Sequence, residues 1–253
     1  MEEDPNKQSF NAQSAGYASA RPQYPEALFQ YLASCCSQTK VAWDCATGSG
    51  QSAIALTRYF ERVKATDIST AQIQHAFQHD CIDYSVQAAE QTCFADHEFD
   101  LLTVAQALHW FDLGRFWPEV FRVLKPDGLF AAWGYGWPTV SPEIDTRLAQ
   151  LVFQPIETYW SPQNKVLWDG YEAIDFPLSL FEVPQFAIAT PWTLDQFFDY
   201  LETWSAVKLY RHQNNDELMG IAKREMSQLW PQEQRKRITM ELCLKVGSPV
   251  PEP

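Results

Sequence analysis

Val41-Ala-Trp-Asp-Cys-Ala-Thr-Gly-Ser-Gly-Gln-Ser-Ala-Ile-Ala-Leu56 is the stretch that decides how this chain folds. It starts as a short apolar run and turns at Gly48 and Gly50. From Ser52 to Phe60 the residues Ile54, Ala55, Leu56 and Tyr59 then recur at helical spacing. The order is strand, loop, helix. Working outward, Val63-Lys-Ala-Thr66 predicts a second strand closed by Asp67, and Thr70 to Gln78 a second helix. Ile82 to Val86 reads as a third strand and Leu101 to Ala105 as a fourth, buried one. Phe116 to Leu124 predicts an amphipathic helix, stopped by the turn residues Lys125-Pro-Asp-Gly128 before a strand from Leu129 to Trp133. Such alternation builds a parallel sheet with helices on both faces, so the expected class is α/β, doubly wound and Rossmann-like.

Past Trp133 the alternation stops. Gly134, Gly136, Pro138 and Pro142 lead into a Trp- and Tyr-rich stretch of irregular helical spacing, expected to be a cap inserted over about 136–182. Val183 to Ala189 then predicts a strand, and Thr193 to Thr203 a helix capped by Thr193. Ile238 to Leu244 predicts a last, antiparallel edge strand. The expectation is one domain over residues 1–253, with a mostly parallel sheet of seven strands.

Composition narrows the function. The 253 residues are 46% apolar, with 10 Trp, 10 Tyr and 16 Phe, too much apolar surface for a disordered chain. Nineteen basic against 32 acidic residues give a net charge of −13, a field that repels phosphate backbones and anionic lipid. Nucleic acid and membrane are therefore not expected as partners. With no membrane-length apolar run and an acidic start, Met1-Glu-Glu-Asp4, a cytoplasmic location is expected. Most of the six cysteines, which form no CxxC pair, read as small buried hydrophobes, and His75, His79 and Cys81 as parts of a solvated helix, so no metal is assigned.

Only ten glycines occur in the chain, which makes Gly48-Ser-Gly50 at a strand-to-helix junction informative. Glycines there let a ligand approach the main chain and the helix N-terminus, beyond the carboxyl ends of the strands. Asp67, 19 positions after Gly48, ends the second strand where a carboxylate accepts from both hydroxyls of an adenosine ribose. Gly48-Ser-Gly-Gln-Ser-Ala53 also fits the G-x-G-x-x-A dinucleotide pattern, so a nicotinamide-dependent oxidoreductase is one reading. Asp44 favours another. Beside the loop it would repel a pyrophosphate, whereas it suits the cationic amino and sulfonium groups of S-adenosylmethionine.

Asp44-Cys-Ala-Thr-Gly-Ser-Gly50 resembles the first motif of class I S-adenosylmethionine-dependent methyltransferases. Ala105-Gln-Ala-Leu-His-Trp-Phe-Asp112 and Arg122-Val-Leu-Lys-Pro-Asp-Gly128 resemble later motifs of that family, in order and spacing. Phe10 to Tyr17 followed by Ala20-Arg-Pro-Gln-Tyr-Pro25 is similar to the leader of its type 11, small-molecule branch, which includes trans-aconitate methyltransferase. One departure is Ala46, where the family usually has glycine. The resemblance implies S-adenosylmethionine as cofactor and S-adenosylhomocysteine as its product. It implies that Asp67 holds the ribose, that Ile68 packs on the adenine, and that Ala89 and Glu90 lie at the adenine edge. It places Ala46, Gly48, Gly50 and Ala105 around the cofactor. It also implies an N-terminal flap over 1–35 in which Tyr17 and Arg21 close on the cofactor, Arg21 against its carboxylate.

Methyl transfer needs in-line alignment and exclusion of water more than a covalent nucleophile or a metal. An aromatic cap carrying Trp137, Tyr159, Trp160, Trp168 and Tyr171 suits a dry pocket over a small molecule. Gln106, His109 and Trp110 follow the fourth strand, where the methyl acceptor would sit. Leu108-His-Trp110 resembles carboxyl methyltransferases of the salicylate type, in which the tryptophan N–H helps hold the substrate carboxylate. The expected reaction is methylation of a small oxygen nucleophile such as a carboxylate. A cofactor-binding protein without catalysis is the non-enzymatic alternative.

Overall fold

The computed structural model describes residues 21–214 and 217–249. Five strands run parallel in the order β3 (Ile82–Val86), β2 (Arg62–Asp67), β1 (Val41–Cys45), β4 (Phe99–Ala105) and β5 (Leu124–Tyr135). The chain winds outward from β1 in both directions, so the switch point lies between β1 and β4, and a crevice opens there beyond their carboxyl ends.

Alternation along the central strands gives each face its own core. Ala42, Leu101, Leu129, Ala131 and Trp133 face a layer containing Leu28, Phe29 and Leu32 of α1 (Glu26–Cys35) and Ala53 and Leu56 of α2 (Gln51–Leu56). Trp43, Leu102, Val104, Phe130 and Ala132 point the other way, onto Phe116 and Val120 of α4 (Leu113–Val123). Helix α3 (Thr70–Gln74) is shorter than its predicted span, and the hydroxyl of Ser69 accepts from Gln72 N to cap it. Lys125-Pro-Asp-Gly128 does not end the helix in a separate turn. It is a bulge inside β5, between the pairs Phe99 with Leu124 and Leu101 with Leu129. A Cβ on Gly128 would stand 2.9 Å from the carbonyl oxygens of both Lys125 and Phe99, so the bulge admits only glycine there.

The last strand, β8 (Lys236–Pro249), is antiparallel to β5 as expected, but it is not an edge. Its far end also pairs with β6 (Leu178–Leu180), a strand from within the aromatic stretch, and its first half pairs with β7 (Ala187–Trp192). The sheet therefore has eight strands in place of the seven expected.

Helix α5 (Pro142–Leu148) runs on through a π-helical stretch (Ala149–Phe153) and a last turn (Gln154–Ile156), followed by α6 (Gln163–Trp168). Ile144, Leu148, Val152 and Ile156 share a third core with α7 (Leu194–Glu202), α8 (Ser205–Gln213) and α9 (Leu218–Met226), and with Ile188, Ile238 and Met240 of the outer strands. Thr193 caps α7 as predicted, in a reciprocal box with Gln196. The cap helices are thus one half of a helical layer whose other half comes from the end of the chain. No helix among the described residues is long and apolar enough to cross a membrane.

Candidate active site

A cavity of about 260 Å³ lies at the switch point. Ala46, Thr47, Gly48, Ser49 and Gln51 form its floor, Asp67 and Ile68 one side, and Gln87, Ala89 and Glu90 the rim after β3. Ala105, Gln106, Ala107, Trp110 and Phe111 come from the end of β4, and Arg21, Tyr24 and Tyr135 close the remaining side. Ten of the fourteen predicted positions are therefore on this wall, and Asp44, Gly50 and His109 are off it. Tyr17 lies outside the described residues.

The two loop glycines do different work. Gly48 has φ 56° and no heavy atom within 4 Å of where a Cβ would stand, so what it supplies is a left-handed backbone. That conformation turns its N–H onto Asp67 Oδ2 at 2.9 Å, while Asp67 Oδ1 accepts from Ser69 N at 2.8 Å. Gly50, φ 83°, opens α2 and faces Tyr84, whose hydroxyl would be 2.2 Å from a Cβ. That hydroxyl donates to Phe77 O at 2.7 Å. The close approach expected of a ligand at Gly50 is made by the protein's own tyrosine.

Asp67 fits an adenosine. A carboxylate offers about four lone-pair positions and two backbone N–H groups take only two, leaving each oxygen one for a ribose hydroxyl. Its burial pushes the carboxyl up from the ordinary range, partly offset by the Ser69 and Gly48 N–H groups. Ile68 beside it is 42% exposed, an apolar surface on the cavity wall. Glu90 Oε1 accepts from Asp112 N at 3.1 Å, which fixes the rim against the start of α4. At the other end of that helix face, Glu119 accepts from Thr92 N at 2.7 Å and from Arg122, tying down the rest of the loop.

Asp44 is placed differently from its expected position. It is 1% exposed and off the cavity wall, beneath the loop, accepting from Thr47 Oγ1 at 2.5 Å and Thr103 Oγ1 at 2.9 Å. Its contacts hold the loop's shape, and burial raises its pKa from 3.8 to about 6. Ala46, at φ 55°, takes the left-handed backbone that the usual glycine adopts freely. Gln106 sits at φ 57° at the end of β4, its N–H donating to Trp133 O at 2.8 Å.

Trp110 is on the wall and His109 is not. The His109 ring packs behind Trp110, with centroids 5.0 Å apart, and against Tyr171 at 6.4 Å. Burial lowers its pKa to about 4, so it is neutral at pH 7. The cap aromatics do not roof this cavity. Trp137, Trp160 and Trp168 pack on one another and Trp137 and Trp160 on Trp204, Tyr159 packs on Tyr210, and Tyr171 is fully buried. Sequence reasoning missed Tyr24 and Tyr135 on the wall, and Tyr84 under the loop. Arg21 donates to the Tyr135 hydroxyl at 3.3 Å, a pairing across 114 residues that no local pattern signals. Among the described residues no cluster of His, Cys, Asp and Glu has the makings of a metal site.

Comparison with known proteins agrees with this geometry. The methyltransferase domain family matches residues 43–132, from β1 into β5. A protein of Anaeromyxobacter dehalogenans, whose structure is described as that of a type II methyltransferase, is 36% identical and superposes with a TM-score of 0.86, covering 92% of this chain and 99% of its own. A Dictyostelium discoideum protein named as a methyltransferase is 29% identical over 220 residues, 85% of this chain and 83% of its own. A yeast protein named as an S-adenosylmethionine-dependent methyltransferase is 27% identical over 137 residues, and this chain spans about half of its length (47%). These relatives set aside the oxidoreductase reading of the glycine loop. With its switch-point cavity, its glycine loop and the Asp67 carboxylate facing it, the chain belongs to the class I S-adenosylmethionine-dependent methyltransferases.

Proposed function

We propose that the protein methylates a small molecule at an oxygen nucleophile, best matched by a carboxylate. One observation carries this reading. Among the described residues that line the cavity, the only carboxylates are Asp67 and Glu90, both assigned to the cofactor; the rest of the lining, including Arg21, Tyr24, Gln106, Ala107, Trp110, Phe111 and Tyr135, holds no Asp, Glu or His. A group that needed a proton removed would find no histidine on this lining, and no carboxylate besides the two assigned to the cofactor. A carboxylate needs no base, being ionised at pH 7 with a pKa near 4.

S-adenosylmethionine supplies a methyl carbon already activated by its sulfonium. In this reading the protein's own groups bind and align. Asp67 takes the ribose hydroxyls, Ile68 the adenine face, and Ala89 and Glu90 the adenine edge, while Ala46, Gly48, Gly50 and Ala105 shape the passage between the two ends. Arg21, joined by Tyr17, meets the cofactor's carboxylate, and the flap expected over residues 1–35 is confined to the residues before α1, because Leu28, Phe29 and Leu32 of that helix are buried in the core. Gln106 and the Trp110 indole N–H orient the acceptor, with His109 supporting Trp110 from behind. Residues of about 136–182, expected as the cap, back the acceptor end through Leu167, beside Gln106, and do not roof it. The acidic surface supports a cytoplasmic protein that works without nucleic acid or membrane.

The test is turnover with a panel of small carboxylic acids. The expected product is a base-labile methyl ester. Trp110→Phe keeps the ring and loses the donor, and should lower kcat/KM for the acceptor by about 1 to 3 kcal/mol with cofactor affinity nearly unchanged. A base-stable product, or full activity in Trp110→Phe, would overturn the carboxylate assignment. No turnover of any acid by protein that binds S-adenosylmethionine would point to the non-catalytic alternative.

A further inference from the structure

Directly behind Trp110 lie two polar atoms that the proposed chemistry does not use. The His109 Nδ1 and the Tyr171 hydroxyl are both buried, and among the described residues neither has a hydrogen-bond partner. Tyr171 is fully buried, so its hydroxyl is cut off from water as well. Proteins seldom leave such groups unpaired, because each one forfeits its hydration and gets nothing back.

The backbone around them is strained as well. Tyr171 has φ 61° directly after Gly170 at φ 70°, and a bulky residue pays for a left-handed backbone that a glycine adopts freely. The turn is fastened by Tyr171 N–H to Val166 O at 2.9 Å and Gly170 N–H to Leu167 O at 2.9 Å. It carries Tyr171 to the ring of His109, and Leu167 to Gly134, where a Cβ would stand 2.1 Å from Leu167 Cδ1 and 3.1 Å from Gln106 Oε1. Leu167, beside Gln106 on the wall, and His109 with Tyr171, beside Trp110, therefore back the acceptor end of the cavity. A strained turn that brings one unpaired polar atom, the Tyr171 hydroxyl, to a ring carrying another, beside the Trp110 wall of a binding cavity, has the marks of a site completed by its ligand.

We propose that His109 and Tyr171 form an inner acceptor subsite, which receives a hydroxyl or carbonyl oxygen of the substrate other than the atom that takes the methyl. The proposal rests on the reading of Gln106 and Trp110 as the acceptor end. The Tyr171 hydroxyl donates to the incoming oxygen, and Nδ1 of the neutral His109 accepts from it or donates to it according to tautomer. A second carboxylate suits this pair poorly, since neither member carries a positive charge at pH 7. The substrate class is thus a small acid bearing a neutral oxygen function, and the aromatic wall of Tyr24, Trp110, Phe111 and Tyr135 favours an aromatic one. Entry requires the Trp110 ring or the Leu167 side chain to move aside, because the subsite is closed in the free chain.

The experiment compares calorimetric binding of benzoate with 2-, 3- and 4-hydroxybenzoate to protein loaded with S-adenosylhomocysteine. At least one hydroxylated acid should bind tenfold or more tighter than benzoate, since a site built to pair a hydroxyl discriminates strongly against its absence. Tyr171→Phe should abolish that preference while leaving S-adenosylhomocysteine affinity unchanged, and its thermal midpoint should be equal to or above that of the parent, because an unpaired buried hydroxyl has been removed. A role in packing alone would instead lower the midpoint or leave the preference intact. Equal binding of all four acids, binding of none, or a preference that survives Tyr171→Phe overturns the subsite. Tight, hydroxyl-dependent binding without a base-labile methylated product overturns the carboxylate reading and leaves the subsite standing.

Discussion

Ala46 holds a backbone conformation, φ 55°, that costs an L-residue about 1 to 2 kcal/mol relative to glycine. Ala46→Gly should recover most of that, raising stability by about 1 kcal/mol and the thermal midpoint by roughly 2 to 4 °C, as calorimetry would show. An unchanged or lowered midpoint would mean that the methyl group packs usefully on the cavity floor. Asp44, two residues earlier, makes a pH-dependent contribution of the opposite kind. Its carboxyl titrates near 6 in the folded chain against 3.8 in the unfolded one, so the folded state holds the proton more tightly. The contribution is fully present below pH 3.8 and is lost as pH rises through about 6, amounting to about 3 kcal/mol in all and about 1 kcal/mol between pH 5 and 7. Asp44→Asn cannot ionise. Urea titrations should therefore show the parent losing ground to this variant as pH rises from 5 to 7, and parallel pH profiles would contradict the buried, ionisable Asp44.

At the scale of elements, the loop between β1 and α2 separates two demands that one sequence motif conflates. Gly48→Ala meets open space and should cost only the left-handed conformation, about 1 kcal/mol. Gly50→Ala meets the Tyr84 hydroxyl at 2.2 Å as well as φ 83°, and should cost at least 2 kcal/mol more. In the double variant with Tyr84→Phe, which removes the clashing oxygen, part of the Gly50→Ala loss should return. Denaturant midpoints for the four proteins decide it, and equal losses at the two glycines would refute the distinction. The sequence pattern located this loop because strand, turn and helix are local in the chain. It was silent about Tyr84, which arrives from β3 and meets the loop only through the sheet. The same limit explains the outer strands. Leu178–Leu180 is too short to show a period, and its pairing with β8 is specified by residues nearly 70 positions away. The Lys125-Pro-Asp-Gly128 turn was legible as a break, whereas its being absorbed into β5 depends on the partner Phe99. The irregular aromatics of the cap carried no clue to their destination, since packing on one another and lining a pocket use the same residues.

For the whole molecule, ligand linkage gives the broadest test of the cofactor site. S-adenosylhomocysteine at a hundred times its Kd should stabilise the folded chain by about 2.7 kcal/mol, or roughly 5 to 10 °C in a chain of this size, whereas NAD should have no effect. Asp67→Ala should reduce the shift by weakening affinity at least tenfold, through loss of two charge-assisted hydrogen bonds of about 1.5 to 3 kcal/mol each. An Asp67→Ala protein with the parent's shift would place the ribose elsewhere. The architecture also dictates an order of assembly. Strands β1 to β5 find their partners among themselves, apart from the outer flank of β5, but β6 and β7 both wait for β8. A chain emerging from the ribosome can therefore close its cofactor-binding half early, while β6 and β7 stay unpaired until residues 236–249 have cleared the exit tunnel. Strand β8 acts as the clasp of the molecule, and the interval before it arrives is when the nascent β6 and β7 are most open to chaperones and to mispairing.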